Sequence, residues 1–222
     1  MDRRRHREPG FVARRALLGA PLGLAAPFGL APMSVAAPAG AQPARPPTPR
    51  QALGPFYPVA WPADAGADLT DARPGLRPAG EPAVLSGRVL DTAGRPLAGT
   101  RVELWQCNAH GRYHHPRDDG PGPLDPAFRG FGRTSADAEG RFRFRTIRPV
   151  AYPGRTPHMH LLLAAPAGTR LVTQVYIRGE PANARDGLLA FLSPDARESL
   201  LAPFERDASG TWQATFEAVL EA

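Results

Sequence analysis

Val84-Leu-Ser-Gly-Arg-Val-Leu-Asp91, Thr92-Ala-Gly-Arg-Pro-Leu-Ala-Gly99 and Thr100-Arg-Val-Glu-Leu-Trp-Gln106 follow one another without a break, and their patterning decides the fold. The first piece alternates loosely between apolar and polar residues. The second is dense in turn-forming Gly and Pro. The third alternates cleanly, with Val102 and Leu104 on one face. A period of two belongs to a strand, because successive side chains there point to opposite faces of the sheet. The segment therefore reads as strand, turn, strand.

Working outward, Phe142-Arg-Phe144-Arg-Thr-Ile147 repeats the alternation just after the hairpin-type turn Asp137-Ala-Glu-Gly140. Further strands are expected at 158–164, 171–178 and 211–220, and helical periodicity is confined to 186–192 and 194–201. Short strands punctuated by turns, with little helix, predict an all-β fold, an antiparallel β-sandwich carrying a few short helices in its loops. The 222 residues suffice for one domain with a substantial core and leave no room for two ordinary ones.

The first forty residues have a different character. Arg3, Arg4, Arg5 and Arg7 form a basic region, Arg14-Arg15 is a twin-arginine pair, and an apolar stretch from Ala16 to Ala37 ends near Ala39-Gly40-Ala41. This pattern predicts a Tat-type export signal over 1–41 and a periplasmic or extracellular protein. Pro21, Pro27 and Pro32 interrupt the stretch, whereas a spanning helix needs about twenty apolar residues in a row, so no stable membrane anchor is expected. The leader's six arginines against Asp2 and Glu8 account for +4 of the chain's formal +6, leaving +2. With no basic stripe interleaved with aromatics, nucleic-acid binding is not expected. The lone Cys107 excludes an internal disulfide and reads as a small buried hydrophobe. Residues 42–50 read as a Pro-rich linker and 51–222 as the domain; Tyr57, between prolines, reads as a packing residue, as do Trp105 and Trp212 within their strands.

Chemistry-bearing side chains concentrate in Arg148-Pro-Val-Ala-Tyr152-Pro-Gly-Arg155-Thr-Pro-His158-Met-His160. His158 and His160, two apart at the mouth of the apolar run Leu161-Leu162-Leu163-Ala164, project from one face of a strand and can share an ion. Tyr152 lies close by, and Tyr113 is a second candidate in Asn108-Ala-His-Gly-Arg-Tyr113-His-His. A phenol titrates near 10 and ligates only where a strongly charged cation strips its proton, so two imidazoles and two phenolates suit ferric iron better than softer metals. His110, His114 and His115 read as solvated or rim side chains and are left out of the metal site.

Several separated motifs carry a resemblance. Gly54-Pro-Phe-Tyr-Pro58, the Leu104 to Tyr113 segment, Leu124-Asp-Pro-x-Phe128, Gly130-x-Gly-Arg133, Phe144-Arg-Thr-Ile-x-Pro149, the Tyr152 to His160 segment and Leu171-Val-Thr-Gln-Val-Tyr176 together resemble the intradiol ring-cleavage dioxygenases, the protocatechuate and catechol dioxygenase family. The resemblance runs from about Gln51 to Pro181. It implies non-haem Fe(III) held by Tyr113, Tyr152, His158 and His160, with a solvent hydroxide in the fifth position. It further implies that Tyr152 is the phenolate a catechol-type substrate displaces, that Arg155 sits beside bound substrate, that Gln174 supports the site behind the ligands, and that O2 cleaves the ring to a muconate-type dicarboxylic acid. The departure is spacing: only five residues separate Tyr152 from His158, shorter than in the protocatechuate enzymes, which bears on the pocket more than on the ligands.

Two other readings compete. A non-catalytic exported transthyretin-like binding module explains the Gly-Arg-Val-Leu-Asp pattern but leaves the tyrosines and histidines without a role. A zinc hydrolase wants a third histidine or a nearby acid. Monomer and homodimer both stay open. Exchanging Arg14 and Arg15 for Lys is expected to trap uncleaved precursor inside the cell; fractionation and immunoblotting showing normal export would refute the Tat assignment.

Overall fold

In the computed structural model, which describes residues 44–221, the exposed Arg141, Arg143 and Arg145 alternate with the buried Phe142 and Phe144. One face of this strand goes to solvent and the other to a core, as burial of alternate apolar side chains requires. In chain order the strands are β1 (Pro82–Asp91), β2 (Arg101–Trp105), β3 (Phe131–Ser135), β4 (Arg141–Ile147), β5 (His158–Ala164), β6 (Arg170–Ile177), β7 (Leu201–Ala202), β8 (Phe204–Arg206) and β9 (Trp212–Leu220). A 3-10 turn (Pro181–Arg185) and the helices α1 (Gly187–Ala190) and α2 (Pro194–Glu198) lie between β6 and β7. The export signal expected over 1–41 and the linker's first residues fall outside the described residues. Among those described, no helix is long and apolar enough to cross a membrane.

Two sheets, ordered β4-β1-β9-β8 and β3-β2-β5-β6-β7, make the sandwich. Leu85, Val89, Phe142, Phe144 and Phe216 from one meet Val102, Leu104, Met159, Leu161, Leu163 and Val175 from the other. The all-β sandwich with few short helices is as expected, and beside its antiparallel pairs β1 with β9 and β6 with β7 run parallel. A parallel pair needs a long crossover between its strands, and both pairs have one available in the intervening chain. The short β3, β7 and β8, absent from the sequence reading, bury too little to leave a periodic signal, and α2 stops at Glu198 before the chain pairs with β6.

The second sheet is covered on both faces. Six of the seven β5 residues are buried: Met159, Leu161 and Leu163 toward the core, and His158, His160 and Leu162 on the opposite face. That outer face is roofed by Phe56, Tyr57, Tyr113 and Tyr152. The chain from residue 44 reaches this roof as an extended strap, with Thr48 N–H donating to the Val219 carbonyl (2.9 Å), Gln51 N–H to Val172 (2.9 Å) and the Thr173 hydroxyl to Pro49 (2.8 Å). Trp212 departs from its expected core role. It is half-buried at the start of β9, with the Arg148 and Arg206 guanidiniums 5.1 and 4.6 Å from its ring and its N–H donating to Glu81 (3.1 Å), because the strand's first residue lies beyond the core.

Neighbouring residues of β4 test this layering. Phe144→Ala is expected to destabilise by about 3–5 kcal/mol and Arg143→Ala by no more than about 0.5 kcal/mol in urea denaturation. Comparable losses at both positions would contradict the assignment of faces.

Candidate metal centre

Register aligns the centre. Trp105 pairs with His160 and His160 with Gln174, so these three side chains form one row across the outer face of the second sheet; His158 and Tyr176 form the next. The Trp105 indole lies parallel to the His160 imidazole, centroids 4.8 Å apart and planes within 9°. Gly54 of the strap passes close to the same ring: a Cβ there would sit 3.1 Å from His160 Cε1, and the backbone has φ of +77°. A side chain here would be strained by the backbone and would crowd the imidazole, so glycine suits the position.

The two tyrosines arrive on loops that are individually locked. Tyr113 follows a loop in which the Asn108 side chain accepts from the N–H groups of His110 (2.9 Å) and Arg112 (3.0 Å), while Arg112 donates to the carbonyls of Asp118, Gly120 and Gly122. Tyr113 N–H donates to the buried Asp118 carboxylate (2.6 Å). Tyr152-Pro153-Gly154-Arg155 is a β-turn closed by Arg155 N–H to the Tyr152 carbonyl (2.9 Å), with proline second and Gly154 third at φ +82°. The short Tyr152 to His158 spacing thus holds a complete turn that returns Arg155 toward the sheet.

These elements bring the four sequence candidates together. Ring centroids lie 4.9 Å apart for His158 and His160, 5.4 Å for Tyr152 and His158, 5.6 Å for Tyr113 and Tyr152, and 6.2 Å for Tyr113 and His160. His158 Nδ1 is 2.7 Å from the Thr156 carbonyl, which can only accept, so Nδ1 carries the proton and Nε2 keeps its lone pair. That Nε2 lies 3.2 Å from His160 Nε2. The buried Tyr113 hydroxyl and His160 Nδ1 have no hydrogen-bond partner.

Arg155 and Gln174 stand beside the cluster. Arg155 donates through one terminal nitrogen to Gln174 Oε1 (2.6 Å) and the Tyr176 hydroxyl (3.2 Å), and directs the other at His158 Nε2 (3.4 Å). Its Nε donates to the buried Asp186 (2.9 Å). Gln174 Nε2 donates to the Ala52 carbonyl (3.1 Å), tying the strap to the site. The sequence reading did not single out Tyr176 or Asp186. Tyr176 stood in a quoted motif two residues after Gln174, the spacing that places both on one face of a strand, whereas nothing local marked Asp186.

His115 corrects another expectation. It is buried rather than solvated, its Nδ1 accepting from Arg117 N–H (3.1 Å) and its ring 5.7 Å from Phe56; His110 and His114 are exposed. Tyr57 packs against Trp105 as expected and also donates to the buried Glu103 (2.7 Å). Burial pushes the Cys107 thiol up to about 12, in keeping with an inert core residue. Among the described residues no group of three or more His, Cys, Asp or Glu side chains is placed to hold a metal ion, and the two histidines have the phenols of Tyr113 and Tyr152 beside them.

Without a cation all four groups are held neutral. Desolvation raises the Tyr113 phenol well above its usual range, with Tyr152 adding to the effect. Desolvation also raises Tyr152, against the pull of Arg155. Desolvation, then Arg155, lowers His158 to about 4; desolvation, then His158 and Arg155, takes His160 well below its ordinary value. Between about pH 6.5 and 4 the unfolded histidines therefore bind protons that the folded ones refuse, and stability falls as pH falls. The metal-free protein is expected to lose up to about 1.4 kcal/mol per pH unit per histidine across this window in urea titrations, and His158→Asn/His160→Asn to flatten the slope. An unchanged slope in that variant would contradict the burial of neutral imidazoles.

The dioxygenase family profile matches residues 53–222. The chain is 46% identical over 140 residues to a protocatechuate 3,4-dioxygenase beta chain of Burkholderia cepacia, covering 60% of each. It is 34% identical over 191 residues to a 6-chlorohydroxyquinol 1,2-dioxygenase of Cupriavidus pinatubonensis, covering 76% of this chain and 62% of the relative. It thus spans about 60% of the length of these relatives. The solved dioxygenase domain of a dioxygenase and carbohydrate-binding protein fusion from Streptomyces sp. SirexAA-E superposes with a TM-score of 0.62 at 32% identity, covering 80% of this chain and 99% of that domain. The match over most of the sequence, the shared sandwich and the motifs on which the site is built establish that this chain belongs to the dioxygenase family.

Proposed function

We propose that the protein is an intradiol dioxygenase that uses non-haem Fe(III), held by Tyr113, Tyr152, His158 and His160, to cleave a catechol-type ring with O2. The observation that carries this reading is the pair of imidazole Nε2 atoms 3.2 Å apart beside a buried phenol hydroxyl with no partner. A buried polar atom without a partner costs about 1–3 kcal/mol, and a cation at this point would recruit the unused lone pairs. Two imidazoles and two phenolates form the mixed nitrogen and oxygen set that suits a hard trivalent ion. A transthyretin-like binding module would leave this donor set without a use. The relatives' names, protocatechuate and 6-chlorohydroxyquinol dioxygenase, support a ring bearing adjacent hydroxyls as the substrate class.

Ferric iron bound here would supply the Lewis acidity that ionises the substrate hydroxyls and draws electron density from the ring, exposing it to O2. The residues divide the remaining work. Tyr152 is the more accessible phenol, half-buried where Tyr113 is 3% exposed, so it is the one free to leave and take up a substrate proton. Tyr113, fixed through Asp118 and packed on Phe56 at 4.8 Å, stays in place. Arg155 presents a fixed positive charge beside His158, where it can stabilise negative charge developing on a ring carbon. Gln174 holds that guanidinium by its carbonyl and the strap by its amide. Both oxygen atoms enter the product, a muconate-type dicarboxylic acid, with no external reductant. The twin-arginine leader supports export as a folded protein to the periplasm or beyond.

Iron-loaded protein is expected to be reddish from tyrosinate absorption and to consume O2 with one or more of catechol, protocatechuate and hydroxyquinol, giving products two oxygen atoms heavier than substrate by mass spectrometry. Tyr113→Phe and Tyr152→Phe should each shift or abolish the visible band, and Arg155→Ala should keep iron while slowing turnover on the order of 100-fold. A colourless, inactive loaded protein would sink the assignment.

A further inference from the structure

Asp186, 1% exposed, uses both carboxylate oxygens. Oδ1 accepts from the N–H groups of Leu188 (3.0 Å) and Leu189 (3.3 Å), capping α1; Oδ2 accepts from Arg155 Nε (2.9 Å) and Thr156 N–H (3.1 Å). A guanidinium is a planar fork, so anchoring Nε on one side dictates where the two terminal nitrogens point. Here they point at Gln174, Tyr176 and His158. The preceding turn is docked independently, by the Thr156 hydroxyl donating to Asn183 Oδ1 (2.9 Å) and Asn183 Nδ2 donating to the Ile177 carbonyl (2.8 Å). Asp186 is thus held by a cap on one edge and offers the other edge to Arg155.

We propose that Asp186 is a positioning residue for ring cleavage, acting through Arg155 by fixing its guanidinium with the terminal nitrogens turned toward the substrate. The proposal rests on the role assigned to Arg155 above. In the free side chain the long Arg155 stem would sample many rotamers, and each departure would move the positive charge away from the carbon it serves. A charge-assisted bond to a desolvated carboxylate removes that freedom more effectively than a neutral acceptor can. Tyr176 adds a second restraint, its hydroxyl lying 3.0 Å from both Gln174 Oε1 and Gln51 Oε1, so the guanidinium is gripped between Asp186 on one side and the Gln174–Tyr176 pair on the other.

The test compares Asp186→Asn and Asp186→Ser, the latter keeping an oxygen that can cap α1 but does not reach Arg155, with Arg155→Ala and the double variants. In iron-loaded protein, both single Asp186 substitutions are expected to lower kcat on the order of 10 to 100-fold with KM changed by less than about threefold, and to retain the visible band. In the Arg155→Ala background they should lower kcat by less than about twofold further, since their effect passes through a side chain already removed. In metal-free, 15N-labelled protein, the Arg155 Nε resonance, identified by its loss in Arg155→Ala, should exchange slowly in the wild type and move and exchange rapidly in both Asp186 variants. Wild-type kcat in Asp186→Ser alongside a slow Arg155→Ala would overturn the positioning role while leaving Arg155 its function; equal further slowing in the double variants would do the same. A fully active Arg155→Ala would overturn both.

Discussion

The organising constraint is desolvation of polar side chains on the outer face of the second sheet. A sandwich needs one apolar face per sheet, and here β5 is buried on both, with imidazoles where a continuous apolar run would otherwise stand. Such groups are tolerable only when partnered, because each polar atom that gives up water without replacement costs about as much as a hydrogen bond. Most are partnered: Gln174 with Arg155 and the strap, Asp186 with Arg155 and α1, Glu103 with Tyr57. Two atoms of the four-residue cluster, the Tyr113 hydroxyl and His160 Nδ1, are among the buried polar atoms left without a partner.

Rigidity at the cluster follows from how many separate elements meet there. Trp105 stacks on the His160 ring, and Gly54, lacking a side chain, lets the strap pass close to it. The Asn108 to Gly122 loop is stapled by Asn108 and Arg112, and the Pro153-Gly154 turn brings Arg155 back over the sheet. Each side chain is thus oriented by hydrogen bonds or packing before any ligand arrives, the arrangement that preorganised electrostatic catalysis demands. The same density makes the strap part of the site, since Gln51, Ala52 and Gly54 contact Tyr176, Gln174 and His160 respectively.

Much of this was legible without coordinates. Alternation in 84–91, 100–106 and 142–147 reflects one-sided burial, and the corresponding strands are present with shifts of a residue or two at their ends. His158 and His160 share a face because a strand has period two, and the strand His158–Ala164 has the expected bounds, ending with the apolar run. The half-exposed Trp212 and the buried His115 were misread for a common reason: a side chain's burial depends on what another part of the chain lays over it, and neighbouring residues do not report that.

The sequence by itself determined the sandwich, the two histidines on one strand face and which side chains are candidates beside them, because strand periodicity and side-chain chemistry are local properties. Only the tertiary structure decided the parallel pairings, the stacking of Trp105 on His160 and the grip of Asp186 on Arg155. Those depend on register between strands and on contacts spanning 31 residues for Arg155 and Asp186 and 122 for Gln174 and Ala52, and no local pattern encodes which distant residues the closed core will press together.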